Sequence, residues 1–351
     1  MKTANTLIYP ASPPVWPFAL ATLAPVPFLL AGLAVGGWSI WIAVFYIVAF
    51  VAFADLTIPE TEISEDLPSE AGQALNVSLA LLHPVLLFGT VWSLAGLGPD
   101  TTTVEKIGLF ICIGLYLGQV SNSNAHELIH SQANGLRRLG QWVFISLLFG
   151  HHSSSHPAVH HRFVATPKDP NTARLNEPFH RFYFRAWIGS FLAGLEVERR
   201  RRPGLENPYF VYVGGAIAAL GLSFLLAGWH GVAWHLALAG YAQMQLLLSD
   251  YVQHYGLARA TLPNGRFEAV GTAHSWNAPH SAARFWMLNA PRHSDHHSHP
   301  TRHYTSLREL EDAPTLPYSL PVMGAIAFWP ARWKRLMNPR VAAYRASIEE
   351  E

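Results

Sequence analysis

The sequence predicts an all-α integral membrane protein in which six transmembrane helices carry a histidine-rich cytoplasmic cap. Three observations lead to this fold class. Half of the 351 residues are hydrophobic and only 13% are charged, where soluble domains carry about 25% charged residues. Apolar runs recur along the chain, each close to the roughly 20 residues a helix needs to cross a bilayer. Nineteen histidines are a large excess, and their dense clusters fall outside those runs or at their ends.

The predicted spans are 16–36, 38–55, 74–97, 104–122, 208–229 and 231–251. The first contains Pro25 and Pro27, which membrane helices tolerate better than soluble ones. Gly36-Gly37 joins the first two spans and Gly228 to Gly231 the last two, so each pair reads as a helical hairpin. Residues 139–150 are too short to span and read as an interfacial or re-entrant piece. A soluble helical core is the alternative, but soluble cores seldom hold so many long uncharged runs. No internal repeat interrupts the chain, and residues 1–351 read as one domain. Lys2 is the only basic residue at the start, and no cleavage pattern follows the first apolar run, so no signal peptide is expected.

Charge placement orients the spans. Segments 123–207 and 252–351 each carry eleven lysines and arginines, 22 of the chain's 24. Two predicted spans separate them, so both lie on one side, and the positive-inside tendency makes that side cytoplasmic together with both termini. The expected location is therefore a lipid bilayer whose cytoplasmic face carries the cap. The 56–73 loop belongs to the same side although it is acidic, because acidic residues contribute little to the rule. Arg199–Arg202 reads as a positive-inside anchor, with docking of an acidic electron carrier as the alternative. A net charge of +1 gives no basis for nucleic-acid binding. Cys112 is the only cysteine, which excludes an intrachain disulfide and a cysteine-held iron–sulfur cluster. Electrons, if the chemistry needs them, come from another protein.

The chemistry lies in the histidine clusters. "NAHELIH" (124–130) extends the fourth span, and His126 and His130, four apart, share one helical face. It is also an HExxH match, which would make Glu127 the base of a zinc protease. In "HHSSSHPAVHH" (151–161), Pro157 suits a helix start with His156 as its cap. His156 and His160 then share a face while His161 points about 100° away, so the adjacent pair can serve two neighbouring ions. His151 and His152 read as loop residues or as neighbours supporting the ligands. In "NAPRHSDHHSHPTRHY" (289–304), Pro291 and Pro300 bracket a short helix presenting His293, His296 and His297, and leave His299 and His303 outside it. His254 stands alone in "SDYVQHYGL" (249–257) at the inner end of the sixth span. These clusters supply nine candidate nitrogen ligands: His126, His130, His156, His160, His161, His254, His293, His296 and His297. One zinc needs three or four ligands, so nine are enough for two ions. Imidazole suits zinc, copper, iron and nickel alike, and with no thiolate set a histidine-rich di-iron site is favoured. Asp250, Asp295 and Glu127 are the carboxylates placed to accept the second ring N–H of a ligating histidine.

The order HxxxH, HxxxHH, HYGL, HxxHH resembles the bacterial membrane alkane 1-monooxygenases of the fatty-acid desaturase/hydroxylase superfamily. The matching text is "HELIH" at 126–130, "HPAVHHRFVATPKDPNTAR" at 156–174, "YVQHYGL" at 251–257 and "RHSDHHSHPTRHY" at 292–304. The resemblance implies a non-haem di-iron centre held by the nine histidines and O2-dependent hydroxylation of a terminal methyl of a hydrophobic substrate. It also implies electrons from a rubredoxin or ferredoxin with its reductase, and no further catalytic residue beyond the ligands. Three positions depart from the pattern. Ser155 and Gln253 stand where the family carries glutamates, and Val159 where it carries glycine. A different methyl-bearing substrate, such as an alkylarene or a terpenoid, is therefore an expectation. The rival readings are a membrane lipid desaturase or hydroxylase of the same superfamily, an intramembrane HExxH zinc protease, and a metal transporter. The transporter would place its ionisable groups in mid-span.

Overall fold

The computed structural model describes residues 15–57 and 70–350, so part of the acidic 56–73 loop lies outside the described residues. Helices dominate, and among the described residues there is no strand, only isolated bridges at Thr261–Phe267 and Asn277–Thr315. Five helices are long and apolar enough to cross a membrane: α1 (Trp16–Val35), α2 (Trp38–Thr57), α3 (Glu70–Leu97), α4 (Thr103–His130) and α8 (Tyr209–His254). The protein is a multi-pass membrane protein. Shorter helices build the cap: α5 (Asn134–Ser146), α6 (152–163), α7 (Phe179–Arg201), α9 (Ser281–Trp286), α10 (His293–Ser298), α11 (Leu320–Ala327) and α12 (Pro330–Glu350).

The expected hairpin between the last two spans takes the form of a single 46-residue helix with a break. Such a helix would run about 69 Å if straight, more than twice a hydrocarbon core of roughly 30 Å. Ala227 (φ −150°) and Gly228 (φ 59°, ψ −151°) leave helical geometry. Across the break, Ser223 Oγ and His235 Nδ1 lie 2.7 Å apart, although twelve residues of straight helix would separate them by about 18 Å. The two arms therefore fold back on each other.

Polar groups at membrane depth need protein partners, because lipid offers none. Pro25 has no N–H to give the Ala21 carbonyl, and Tyr46 Oη donates to that oxygen at 3.0 Å. Tyr116 Oη donates to the next carbonyl, Thr22 O, at 3.0 Å. His235 Nε2 bonds to Ser146 O at 2.7 Å, and His83 Nε2 pairs with Ser146 Oγ at 2.9 Å. These contacts tie α3, α8 and the end of α5 together. The predicted 139–150 piece is thus part of a real helix, α5, followed by a turn through Leu148 (φ 58°).

Gly228 occupies a backbone region that only glycine enters freely, and a side chain there costs on the order of 1–3 kcal/mol. Gly228→Val is expected to lower the thermal midpoint in detergent, while truncation of the neighbouring exposed side chain in Leu225→Ala leaves it within error. Equal midpoints for both would show that the break is not under constraint.

Candidate metal centre

The nine histidines predicted from the sequence converge in two groups. His126, His130, His156, His161 and His296 form one; His160, His254, His293 and His297 form the other. Within each group the ring nitrogens on offer lie within 4.8 Å of one another, a spacing that could hold a metal ion. His130 and His254 are the last residues of α4 and α8, so the site sits where two span-length helices end. In the first group, His126 and His156 Nε2 are 2.7 Å apart, His156 and His161 Nε2 2.9 Å, and His161 and His296 Nε2 3.2 Å. In the second, His254 and His293 Nε2 are 3.0 Å apart and His293 and His297 Nε2 3.1 Å. His130 Nε2 and His160 Nε2 are buried with no hydrogen-bond partner among the described residues. A neutral imidazole has one donor and one acceptor, so protons cannot satisfy so many facing nitrogens at once. A cation at the centre of each group would. The donor set therefore fits a pair of metal ions.

The pairing of ligands differs from the sequence expectation on α6. The helix starts at His152, and His156 is inside it with helical φ and ψ rather than capping it. His156–His160 is a π turn, in which the N–H of His161 bonds to the carbonyl of His156. An α-helix would turn the fifth residue about 140° away; the wider i→i+5 turn brings it back. His156 consequently faces the first group with His161, and His160 alone faces the second. On α10, His293 and His297 share the second group while His296 joins the first. His299 falls outside the helix as expected. His303 also lies outside and caps the next short turn, accepting from Thr305 N.

Carboxylate support comes from a residue the sequence reading did not single out. Asp169 Oδ2 lies 2.8 Å from His160 Nδ1, accepts from Thr172 Oγ1 at 2.7 Å, and its Oδ1 accepts from Asn171 N at 3.0 Å. The last contact is an Asx turn, which the "KDPNT" text could have signalled. Arg185 clamps the loop, donating to Pro170 O (2.8 Å) and Thr172 O (3.0 Å) while its fork holds Glu177. Asp250 accepts from Asn171 Nδ2 at 2.6 Å and reaches His160 only through space. Asp295 turns away from the nine histidines: it accepts from Arg302 at 2.5 and 2.7 Å, from the Arg308 N–H, and pairs with His299. It braces the loop after α10 instead of a ligating ring. Glu127 also points elsewhere, accepting from Tyr304 N at 3.2 Å with His303 at 3.9 Å. It lines a cavity of about 400 Å³ together with His130 and His303.

Burial, and then the neighbouring histidines, hold His156, His161, His293, His296 and His297 well below the ordinary imidazole range. Neutral rings are what metal ligation requires. His160 is the exception. Burial lowers it, but the Asp169 carboxylate beside it and Asp250 further off together raise it.

A second cavity, of about 100 Å³, reaches His126, His156 and His293 from between α4, α8 and α11. His152, expected from the sequence either in a loop or beside the ligands, heads α6, packs against His156 with ring centroids 4.7 Å apart, and lines this cavity. The departures noted in the sequence have local reasons here. Ser155 is buried against α7 at Gly194, where there is room only for a small residue. Gln253 Nε2 donates to Ala290 O at 3.0 Å, three residues before His293, a bond that a carboxylate cannot make.

The fatty acid desaturase family model matches residues 106–327, which include all nine histidines. The chain belongs to the fatty acid desaturase family. Its similarity to alkane 1-monooxygenase 2 of Pseudomonas aeruginosa is 30% identity over 88% of this chain and 86% of that protein. Alkane 1-monooxygenase 1 of Alcanivorax borkumensis is 32% identical over 87% of this chain and 79% of its own length. The hydroxylase component of a xylene/toluene monooxygenase from Pseudomonas putida is 24% identical over 88% of this chain and 84% of that protein. This member of the desaturase family is an oxidoreductase, as those monooxygenases are.

Removing the carboxylate from a carboxylate–histidine–metal triad costs about 10–100-fold in metal affinity. Asp169→Asn is expected to lose metal to a chelator at a correspondingly lower concentration than the wild type. Metal retention equal to wild type would remove Asp169 from the site.

Proposed function

We propose that this protein is a membrane monooxygenase that hydroxylates the terminal methyl of an alkane or similar hydrophobic molecule with O2 and externally supplied electrons. The observation that carries the reading is the convergence of nine imidazoles, in groups of five and four, where two span-length helices end. His126, His130, His156, His161 and His296 would hold one iron, and His160, His254, His293 and His297 the other. When bound, the two irons supply the reduction of O2 and the hydroxylation of an unactivated C–H bond. The chain's own residues position and exclude. Asp169 accepts from His160 Nδ1 and so leaves Nε2 free to ligate. The helical cavity leads a substrate methyl from the lipid side to His126, His156 and His293, and its packed walls keep bulk water out. Glu127 accepts from the Tyr304 N–H and belongs to neither histidine group, which weighs against its being the base of an HExxH protease.

We further propose one domain with six spans, taking the two arms of α8 on either side of Ala227–Gly228 as separate crossings. The basic cap and both termini face the cytoplasm at the inner membrane. Rubredoxin or ferredoxin with its reductase would deliver the electrons, because a single buried cysteine cannot assemble a thiolate redox centre.

Purified protein is expected to contain about two irons per chain, and His296→Ala to lower that content and abolish oxygenation. Stoichiometric zinc with normal turnover by the variant overturns the reading. Mass spectrometry of products from alkanes, alkylarenes and fatty acids separates hydroxylation from desaturation, since cis-alkenes alone would mean a desaturase. Topology is checked by thiol labelling. With Cys112 buried, cysteines placed at Trp229 and Arg201 are expected to react from opposite sides of the membrane.

A further inference from the structure

The cavity that reaches the histidines is not a plain hydrocarbon slot. Gln119, Asn122, Ser123, Gln245, Ser249 and Gln253 all lie on its wall. Most of these groups are occupied as tethers. Gln119 Oε1 accepts from Trp286 Nε1 at 2.6 Å. Asn122 Nδ2 donates to Gly118 O and Ala242 O. Ser249 Oγ donates to Gln253 Oε1 at 2.8 Å, and Gln253 donates onward to Ala290 O.

Gln245 is different. Its Nε2 donates to Gly114 O at 2.9 Å and to Tyr241 O at 3.4 Å. Two carbonyl partners settle which end of the amide is nitrogen. The other end, Oε1, is buried with no hydrogen-bond partner among the described residues. The amide lies flat against Gly118, where no Cβ would fit, so α4 is built to admit it. Eight residues of helix separate Gly118 from His126, about 12 Å. A buried acceptor left unpaired is costly, and a ligand donor would relieve it.

We infer that the substrate is a hydrophobic alcohol, whose hydroxyl donates to Gln245 Oε1 while its far methyl, about 12 Å away, meets the metal centre. The inference rests on the monooxygenase reading above and narrows its substrate class. One oxygen atom of O2 enters a methyl C–H bond to give a second CH2OH. The other leaves as water with two protons and two electrons from the external iron–sulfur or rubredoxin-type carrier. Gln245 takes no part in these steps; it selects and positions the substrate.

The test compares three molecules of nine heavy atoms each: 1-octanol, heptyl methyl ether and n-nonane. Membranes containing the full chain, supplied with O2 and a ferredoxin with its reductase, are assayed for terminal hydroxylation. Octanol is expected to exceed both others in kcat/KM by at least about tenfold, since only it offers a donor, and Gln245→Leu is expected to bring the octanol-to-nonane ratio to about one. Equal kcat/KM for all three, an ether as good as the alcohol, or an alcohol preference that survives in Gln245→Leu each overturn the inference while the monooxygenase reading stands. Absence of O2-dependent product from every compound overturns that reading and the inference with it. Should Gln245→Leu fail to fold, the comparison in the unaltered protein decides by itself.

Discussion

Nine imidazole rings turn nitrogens towards one another in the interior, and each neutral ring has only one proton to share. Everything else in the cap serves that arrangement. The rings come from four segments, α4, α6, α8 and α10, so bringing them together fixes where two span-length helices end relative to the cap. The π turn on α6 divides one short sequence between both groups. Asp169 fixes one ring, its Asx turn fixes Asp169, and Arg185 clamps the loop that carries both. Each layer restricts the one inside it, as a preorganised site requires.

The membrane part solves a related problem with fewer groups. Carbonyls freed by Pro25 and polar side chains at lipid depth find partners on neighbouring helices: Tyr46 and Tyr116 on the α1 carbonyls, and Ser146 between His83 and His235. These bonds carry the scaffold towards the site. Gln253, at the end of α8, holds Ala290 just before α10, and Gly256 N donates to Ala173 O beside the Asp169 loop at 3.0 Å. The C-terminal end of α8 is thus tied to both cap segments that supply ligating rings.

The relatives act on molecules as different as alkanes and xylene or toluene, to go by their names. On the proposed reading, substrate choice resides in the cavity wall, which carries amides and hydroxyls mostly committed to bonds within the protein. Gln245 Oε1 is a buried amide oxygen there with no hydrogen-bond partner among the described residues.

The sequence by itself determined the helical membrane class, the apolar runs and the clustered histidines, because span length, hydropathy and i, i+3, i+4 spacing are local properties of the chain; the lone His254 joined them through the family resemblance of its "QHYGL" text. It also placed α10 between Pro291 and Pro300, since proline acts on its own backbone. Tertiary structure decided what depends on distant neighbours. The split into five and four hinges on a π turn that no spacing rule announces. Asp295, adjacent in sequence to the ligands, is drawn to Arg302, whereas Asp169, eight residues after His161, folds back onto His160. Glu127 shares a motif with His126 and His130 but accepts from the Tyr304 N–H instead of joining either histidine group. Proximity along the chain fixes the direction of a side chain on its own helix; only packing decides what waits for it there.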